Sequence, residues 1–159
     1  MPAGCAGRVT IDPAQPATGT DGPADAGTAV RVDVNLPLPG WCGVVVLMQE
    51  GSWGDRPGPA LALAGATALV FRARGANGGE RVRIKAAIAP DQPFGDSAAL
   101  PVDGGWIELS SGWREYRIDA RGRDLQRVIT PFVVIANDKH NPAGRLSVFF
   151  DDIRYEWGG

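Results

Sequence analysis

A chain of 159 residues with a formal net charge of −2 has no bulk electrostatic attraction to nucleic acid or anionic membranes, and its length fits one domain with a sizeable core. Its hydrophobic and charged fractions, 44% and 21%, are those of a globular protein, and no apolar run approaches the ~20 residues that span a bilayer. Glycine (22) and proline (13) are abundant, which favours many turns over long helices.

The chain opens on MPAGCAG, which lacks the charged and apolar regions of a signal peptide. AGC followed by Ala matches only the tail of a lipoprotein cleavage site, with Cys5 as the residue that would carry lipid. A short strand is expected over 8–11, followed by a loop rich in Pro, Gly, Asp and Thr. Residues 1–28 are read as an N-terminal strand and loop belonging to the same domain as the rest. AVRVDVNL (29–36) alternates Val30, Val32, Val34 and Leu36 against Arg31, Asp33 and Asn35, the period of a half-buried strand. After the LPLPG break, WCGVVVLMQ (41–49) is a more continuous apolar run, which predicts a central strand covered on both faces. Cys5 and Cys42 fit either a single disulfide in an exported protein or a buried free thiol at Cys42.

GSWGDRPGPA (51–60) is a loop. TALVFRARG (67–75), the NGG turn (77–79) and ERVRIKAAIA (80–89) then read as a hairpin. PDQPFGDSAALPVDGG is irregular, and WIELSSGWREYRIDARG (106–122) supplies two short strands around Ser110–Gly112. RDLQRVI (123–129) is a candidate for one helical turn. PFVVIAND (131–138) and RLSVFFDDIRYEW (145–157) are the last strands, joined by the polar loop KHNPAG. Eight or nine short strands at regular spacing specify an all-β fold, an antiparallel β-sandwich or jelly roll, with 29–157 as its body and a single domain overall.

Catalysis would need a nucleophile with a base, a metal cluster or paired acids. The one histidine, His140, lies in a polar loop, and neither GxSxG nor a Cys/His cluster occurs. Glu80, Glu108 and Glu115 read as outward surface acids, and Tyr116 with His140 is the one pair a lyase could use. Binding is easier to build. Arg81, Arg83 and Lys85 share one face of their strand, and Arg72 and Arg74 lie opposite Phe71 and Ala73. Paired across the expected hairpin, they form a basic strip, which is either a solvated face guarded against edge pairing or a groove for sugar hydroxyls and acidic groups. Five tryptophans are many for this length, and Trp53, Trp106 and Trp113 adjoin glycines, where exposed rings can stack on pyranose faces.

In SVFFDDIRYEW (147–157) two adjacent aspartates interrupt a strand. Regular pleating would turn one of Asp151 and Asp152 inward, where a carboxylate needs a neutralising partner.

Taken in order, Trp41–Cys42–Gly43, the loop from Trp53 to Gly58, the stretch from Leu69 to Glu80, Asp96–Ser97, GWREYRIDARGRDLQRVI and FFDDIRYE resemble a carbohydrate-binding-module-like jelly roll of the galactose-binding-domain-like type. The resemblance covers roughly residues 29–157. It implies two antiparallel sheets, a structural calcium near one end of the sandwich, and an extracellular or cell-surface protein that binds polysaccharide beside a glycosidase domain. In that family a final-strand aspartate supplies a calcium ligand. The resemblance therefore points to Asp151 first and Asp152 second, with Asp12 as a first-strand partner; the alternative is an inward aspartate that accepts backbone N–H bonds or pairs with Arg74. Val46 and Val134 stand where relatives carry aromatics, which shifts the expected sugar contacts toward loops. The expected carbohydrate-binding residues are Trp53, Arg72, Arg74, Arg83, Lys85, Asn137, Asp138 and His140, on a basic strip suited to polar or acidic glycans. The resulting expectation is a non-catalytic polysaccharide-binding module. The alternatives are an accessory domain that binds no sugar and a small jelly-roll lyase or hydrolase.

Overall fold

The computed structural model describes residues 5–12 and 29–158, the stretch 6–12 by its backbone alone. Nine strands follow one another: β1 (Ala6–Asp12), β2 (Ala29–Asn35), β3 (Trp41–Val46), β4 (Ala66–Gly75), β5 (Arg81–Ala86), β6 (Val102–Glu108), β7 (Arg114–Asp119), β8 (Phe132–Asn137) and β9 (Arg145–Trp157). They form a five-stranded sheet in the order β1-β2-β9-β4-β7 and a four-stranded sheet in the order β3-β8-β5-β6, with every pairing antiparallel. This is the all-β sandwich that the strand count and spacing predict.

Alternation decides what faces the core. Val32 and Val34 of β2, Leu69, Phe71 and Ala73 of β4, and Val148 and Phe150 of β9 project from one sheet. Val82 and Ile84 of β5 and Val134 and Ala136 of β8 project from the other, and all join one buried cluster. Phe71, Phe132 and Phe150 meet edge-on at its centre, with centroids 5.3–6.0 Å apart.

Three local expectations change. β4 and β5 do not pair as a hairpin; they lie in different sheets, and the NGG turn carries the chain from one sheet to the other. Each strand has one apolar face, and placing the strands on opposite walls lets both faces meet the same core. The Glu80 side chain, read as an outward acid, is buried at this corner and accepts the Asn77 N–H at 2.7 Å. β3, read as central, is an edge strand with β8 as its sheet neighbour. The 123–129 stretch is not helical: Val128 bridges Leu61, and the rest of the segment is irregular backbone with bends.

Two loops are tied together by one buried acid. Asp96 accepts hydrogen bonds from the N–H groups of Ala89, Ile129 and Thr130 and from the Thr130 hydroxyl, at 2.7–3.2 Å. Cys5 and Cys42 form a disulfide, with Cα atoms 5.4 Å apart. It joins the approach to β1 in one sheet to edge strand β3 in the other.

Candidate functional site

The outer face of the four-stranded sheet gathers chemistry that sequence spacing alone scatters. Cys42 and Val44 turn toward the core, so Trp41, Gly43 and Val45 turn outward. The cross-strand register then sets out three rows. The first joins Trp41 to Asn137 on β8 and, beyond it, Arg81 to Glu108. The second runs Gly43, Ile135, Arg83, Trp106, and the third Val45, Val133, Lys85, Asp103. Trp41 is 49% exposed, and its indole edge lies 3.4 Å from where a Gly43 Cβ would stand, so the ring folds over the bare glycine.

Asp103 and Trp106 are three residues apart, a spacing that would place them on opposite faces of a regular strand. The Gly104–Gly105 pair prevents this. Gly104 packs inward against Ile118 with no room for a side chain, and Gly105 takes φ +68° in a bulge that absorbs the extra residue. The Gly105 N–H then donates back to Asp103 Oδ1 at 2.9 Å.

Charge on this face is paired. Arg83 donates to both Asp103 oxygens, from Nε at 2.9 Å and from Nη2, and Lys85 Nζ stands 3.6 Å from Oδ2. The Arg83 guanidinium holds the Asp103 carboxyl down at about 2, against the opposing effect of burial and with help from the Gly105 N–H and Lys85. Arg81 pairs with Glu108 at 3.1 Å. A fork-shaped guanidinium committed to a carboxylate on one side still presents N–H donors on the other.

At the β6 side the imidazole of His140 lies flat on Trp106, with centroids 3.9 Å apart and planes 14° off parallel. Its loop is built by two asparagines. Asn137 Oδ1 accepts the His140 backbone N–H at 3.0 Å and contacts His140 Nδ1 at 2.7 Å. Asn141 fills the gap between β8 and β5: its Oδ1 accepts the Arg81 N–H, and its Nδ2 donates to the Arg81 and Asn137 carbonyls. A buried side-chain amide thus stands in for a missing piece of strand.

Four of the expected sugar contacts meet here, Arg83, Lys85, Asn137 and His140, and Asp138 follows β8 at its edge, its N–H donating to the Gly40 carbonyl at 3.0 Å. Arg72 and Arg74 do not join them, because β4 belongs to the other sheet. Arg74 lies over the rings of Phe149 (4.2 Å) and Trp113 (5.8 Å), and Arg72 Nε and Nη1 are buried. The expected basic strip is therefore divided between two faces, and on this face Glu108 and Asp103 offset two of its three cations. Trp53 is exposed in the loop after β3, beside a recess formed with Ile88, Pro90 and Gln92, at the opposite end of β3 from Trp41. Val134 points into the core, and Val46 pairs with core-facing Phe132; aromatics there would not add to a platform on this face. Tyr116 packs beneath the five-stranded sheet against Phe71, so it and His140 lie on opposite sides of a sheet and form no catalytic pair.

Sequence reading missed Trp41 and Asp103, and it named Trp106 as a ring able to stack on sugar without bringing it together with His140. Strict alternation outward from core-facing Cys42 would have exposed Trp41, and a Gly-Gly pair inside a strand is the ordinary mark of a bulge.

The two aspartates of β9 also lie in a bulge. Arg72 stands opposite Asp151 and Val70 opposite Arg154, so three steps on β9 match two on β4. Asp152 takes φ +51° there, and neither carboxylate faces the core. Asp151 Oδ1 accepts the Asp152 N–H at 2.7 Å, and Asp152 pairs with Arg154 at 2.7 Å. Calcium takes roughly six to eight oxygens, and among the described residues no group of three or more His, Cys, Asp or Glu gathers to supply them. The backbone of Asp12 pairs with Ala29 at this end of the sheet, but its side chain lies outside the described residues.

No protein-family model matches the chain, and no curated protein matches it in sequence. Solved structures do match. A family 30 carbohydrate-binding module aligns with a TM-score of 0.60 at 15% identity, over 95% of this chain and 74% of that one. A family 11 carbohydrate-binding module from Clostridium thermocellum, in complex with a β-1,3-1,4-mixed-linked tetrasaccharide, aligns at 0.60 and 15%, over 98% and 85%. A family 30 module of a cellulosomal cellulase from the same organism aligns at 0.55 and 18%, over 94% and 82%. At these identities fold is what is shared: the chain has the two-sheet antiparallel fold of carbohydrate-binding modules of families 11 and 30.

Proposed function

We propose that this protein is a non-catalytic carbohydrate-binding module that takes a polysaccharide across the outer face of its four-stranded sheet. The observation that carries the reading is the grid itself. Trp41 stands at one edge and the Trp106–His140 stack at the other, with Arg81, Arg83, Lys85 and Asn137 between them. Three inter-strand steps separate the tryptophan strands, roughly 14 Å, which a short oligosaccharide covers. Indole faces take the C–H faces of pyranose rings, and the paired arginines donate to hydroxyls.

Because Glu108 and Asp103 offset two of the three positive charges of Arg81, Arg83 and Lys85, the face suits a neutral glycan over a strongly acidic one, a change from what the sequence alone favours. The family 11 module of the same fold holds a β-1,3-1,4-mixed-linked tetrasaccharide, and a mixed-linked β-glucan is our first ligand class for this chain. Affinity electrophoresis in gels carrying mixed-linked β-glucan, xyloglucan or an acidic polysaccharide tests this. Retardation by a neutral glucan is expected, with Trp41→Ala and Trp106→Ala each weakening it about tenfold or more. Unchanged mobility in every gel overturns the reading.

The disulfide supports an oxidising, extracellular or cell-surface setting, and a neighbouring glycosidase domain fits a module of this kind. A structural calcium is also proposed, at the Asp151–Asp152 bulge with Asp12. It would have to draw further oxygens from residues outside those described and compete with Arg154 for Asp152. A chelator is expected to lower the melting temperature, since an ion bound only by the folded state stabilises it. An unchanged melt removes the ion from the account.

A further inference from the structure

The contacts of Asn137 fix more than the position of His140. The backbone N–H of His140 can only donate, so the Asn137 atom receiving it at 3.0 Å is the amide oxygen. That same oxygen lies 2.7 Å from His140 Nδ1, and two acceptors do not approach so closely without a proton between them. Nδ1 therefore carries the hydrogen. In the neutral ring Nε2 is then bare, an acceptor on the far side of the imidazole from Asn137.

Neutral acceptors are scarce on this face. Arg81, Arg83 and Lys85 offer donors only, Asp103 receives Arg83 beside Lys85, Glu108 receives Arg81 through Oε2, and Asn137 Oδ1 is used twice. A sugar hydroxyl both donates and accepts, so a donor-rich face gains most from one uncommitted lone pair.

We infer that His140 is a specificity-determining residue of the carbohydrate face: its imidazole stacks on Trp106, its Nε2 accepts a hydroxyl hydrogen from the bound glycan, and protonation of the ring turns that acceptor into a donor and weakens binding. The inference rests on the reading of this face as the carbohydrate site. The charged groups on the surrounding elements are Arg81 with Glu108, Arg83 with Asp103, Lys85, and Asp138 and Lys139 of the same turn. The basic side chains among the pairs are already matched by Glu108 and Asp103, so the charge added to His140 on acidification is new to the face. A protonated ring also holds more tightly to the Trp106 face as a cation, so acid reverses the polarity of the site without dismantling it.

The chain has one histidine, which makes the test clean. Long-range proton–nitrogen correlation spectra of the free protein at neutral pH should show the Nδ1–H tautomer, shifting toward Nε2–H in Asn137→Ala. An Nε2–H tautomer in the unsubstituted protein overturns the inference, whatever the protein binds. Affinity for mixed-linked β-glucan should fall about three- to tenfold between about pH 8 and an acidic pH at which the same spectra show both ring nitrogens protonated. His140→Phe keeps the stack and should bind more weakly at pH 8 with no dependence on pH. Binding that is pH-independent, or stronger in acid, overturns the inference and leaves the carbohydrate reading standing. No binding to any polysaccharide at any pH overturns both.

Discussion

The Asp103 carboxylate takes hydrogen bonds from the Arg83 guanidinium and the Gly105 N–H and lies 3.6 Å from the Lys85 ammonium, so its charged form is favoured in the folded protein. Its folded pKa of about 2 lies below the ordinary aspartate value of roughly 3.9. A carboxylate depressed in this way contributes stability that is fully present above its unfolded pKa. That contribution is lost as pH falls through the folded value, here between roughly 4 and 2. Carbon NMR titration of the carboxyls should therefore show the Asp103 signal protonating near about pH 2, below the ordinary aspartate range. In Arg83→Met that signal should rise toward the ordinary range, because Arg83 is the largest cause of the shift. A signal that stays low would assign the shift to the Gly105 bulge instead. The same substitution frees no buried charge, since the Asp103 side chain is a quarter exposed and Lys85 remains beside it. A loss of glycan binding in Arg83→Met would then reflect lost donors and not a collapsed sheet.

At the scale of elements, alternation was legible and partnership was not. The spacing of Arg81, Arg83 and Lys85 against Val82 and Ile84 is a local property of one strand, and its outward and inward faces stand as the sequence implies. Whether β5 pairs with β4 or faces it across the core depends on contacts with β8 and β9, about fifty residues or more further along, and no local signal carries that. Bulges defeat alternation for a related reason. The extra residue in β9 rescues Asp151 and Asp152 from the core, where strict pleating would have buried one of them. Asp152 occupies the bulge with φ +51°, a conformation aspartate tolerates and β-branched residues resist. Asp152→Gly should leave stability within about half a kcal/mol of the parent, because its ion pair with Arg154 is solvent-accessible and glycine relieves the backbone. Asp152→Val should lose more than about 1 kcal/mol for the opposite reason. Urea unfolding of both variants checks this, and equal losses would mean that the carboxylate, not the backbone, matters here.

Across the whole molecule, each sheet has an edge strand on the same flank of the sandwich: among the described residues β1 pairs only with β2, and β3 only with β8. An edge strand held by one ladder is the part of a sheet that opens first. The Cys5–Cys42 bridge ties these two edges together across the sandwich, closing a segment with a sequence separation of 37. For a loop of that size the entropy removed from the unfolded chain corresponds to about 3–4 kcal/mol, a large fraction of a domain's net stability. The bridge also sits directly beneath the face proposed to bind carbohydrate, because Cys42 points inward between outward-facing Trp41 and Gly43. Reduction should then act twice. It should lower the melting temperature by several degrees, and it should weaken glycan binding well below the melt, since edge strand β3 carries Trp41. Cys5→Ser with Cys42→Ser should reproduce both effects in the absence of reductant, while Trp106→Ala should weaken binding without making the melt sensitive to reductant. The measurements are melting curves and affinity electrophoresis with and without dithiothreitol. An unchanged melt on reduction would mean that β2 and β8 alone hold the two edges, and binding lost only above the melting temperature would mean that β3 needs no bridge to present Trp41.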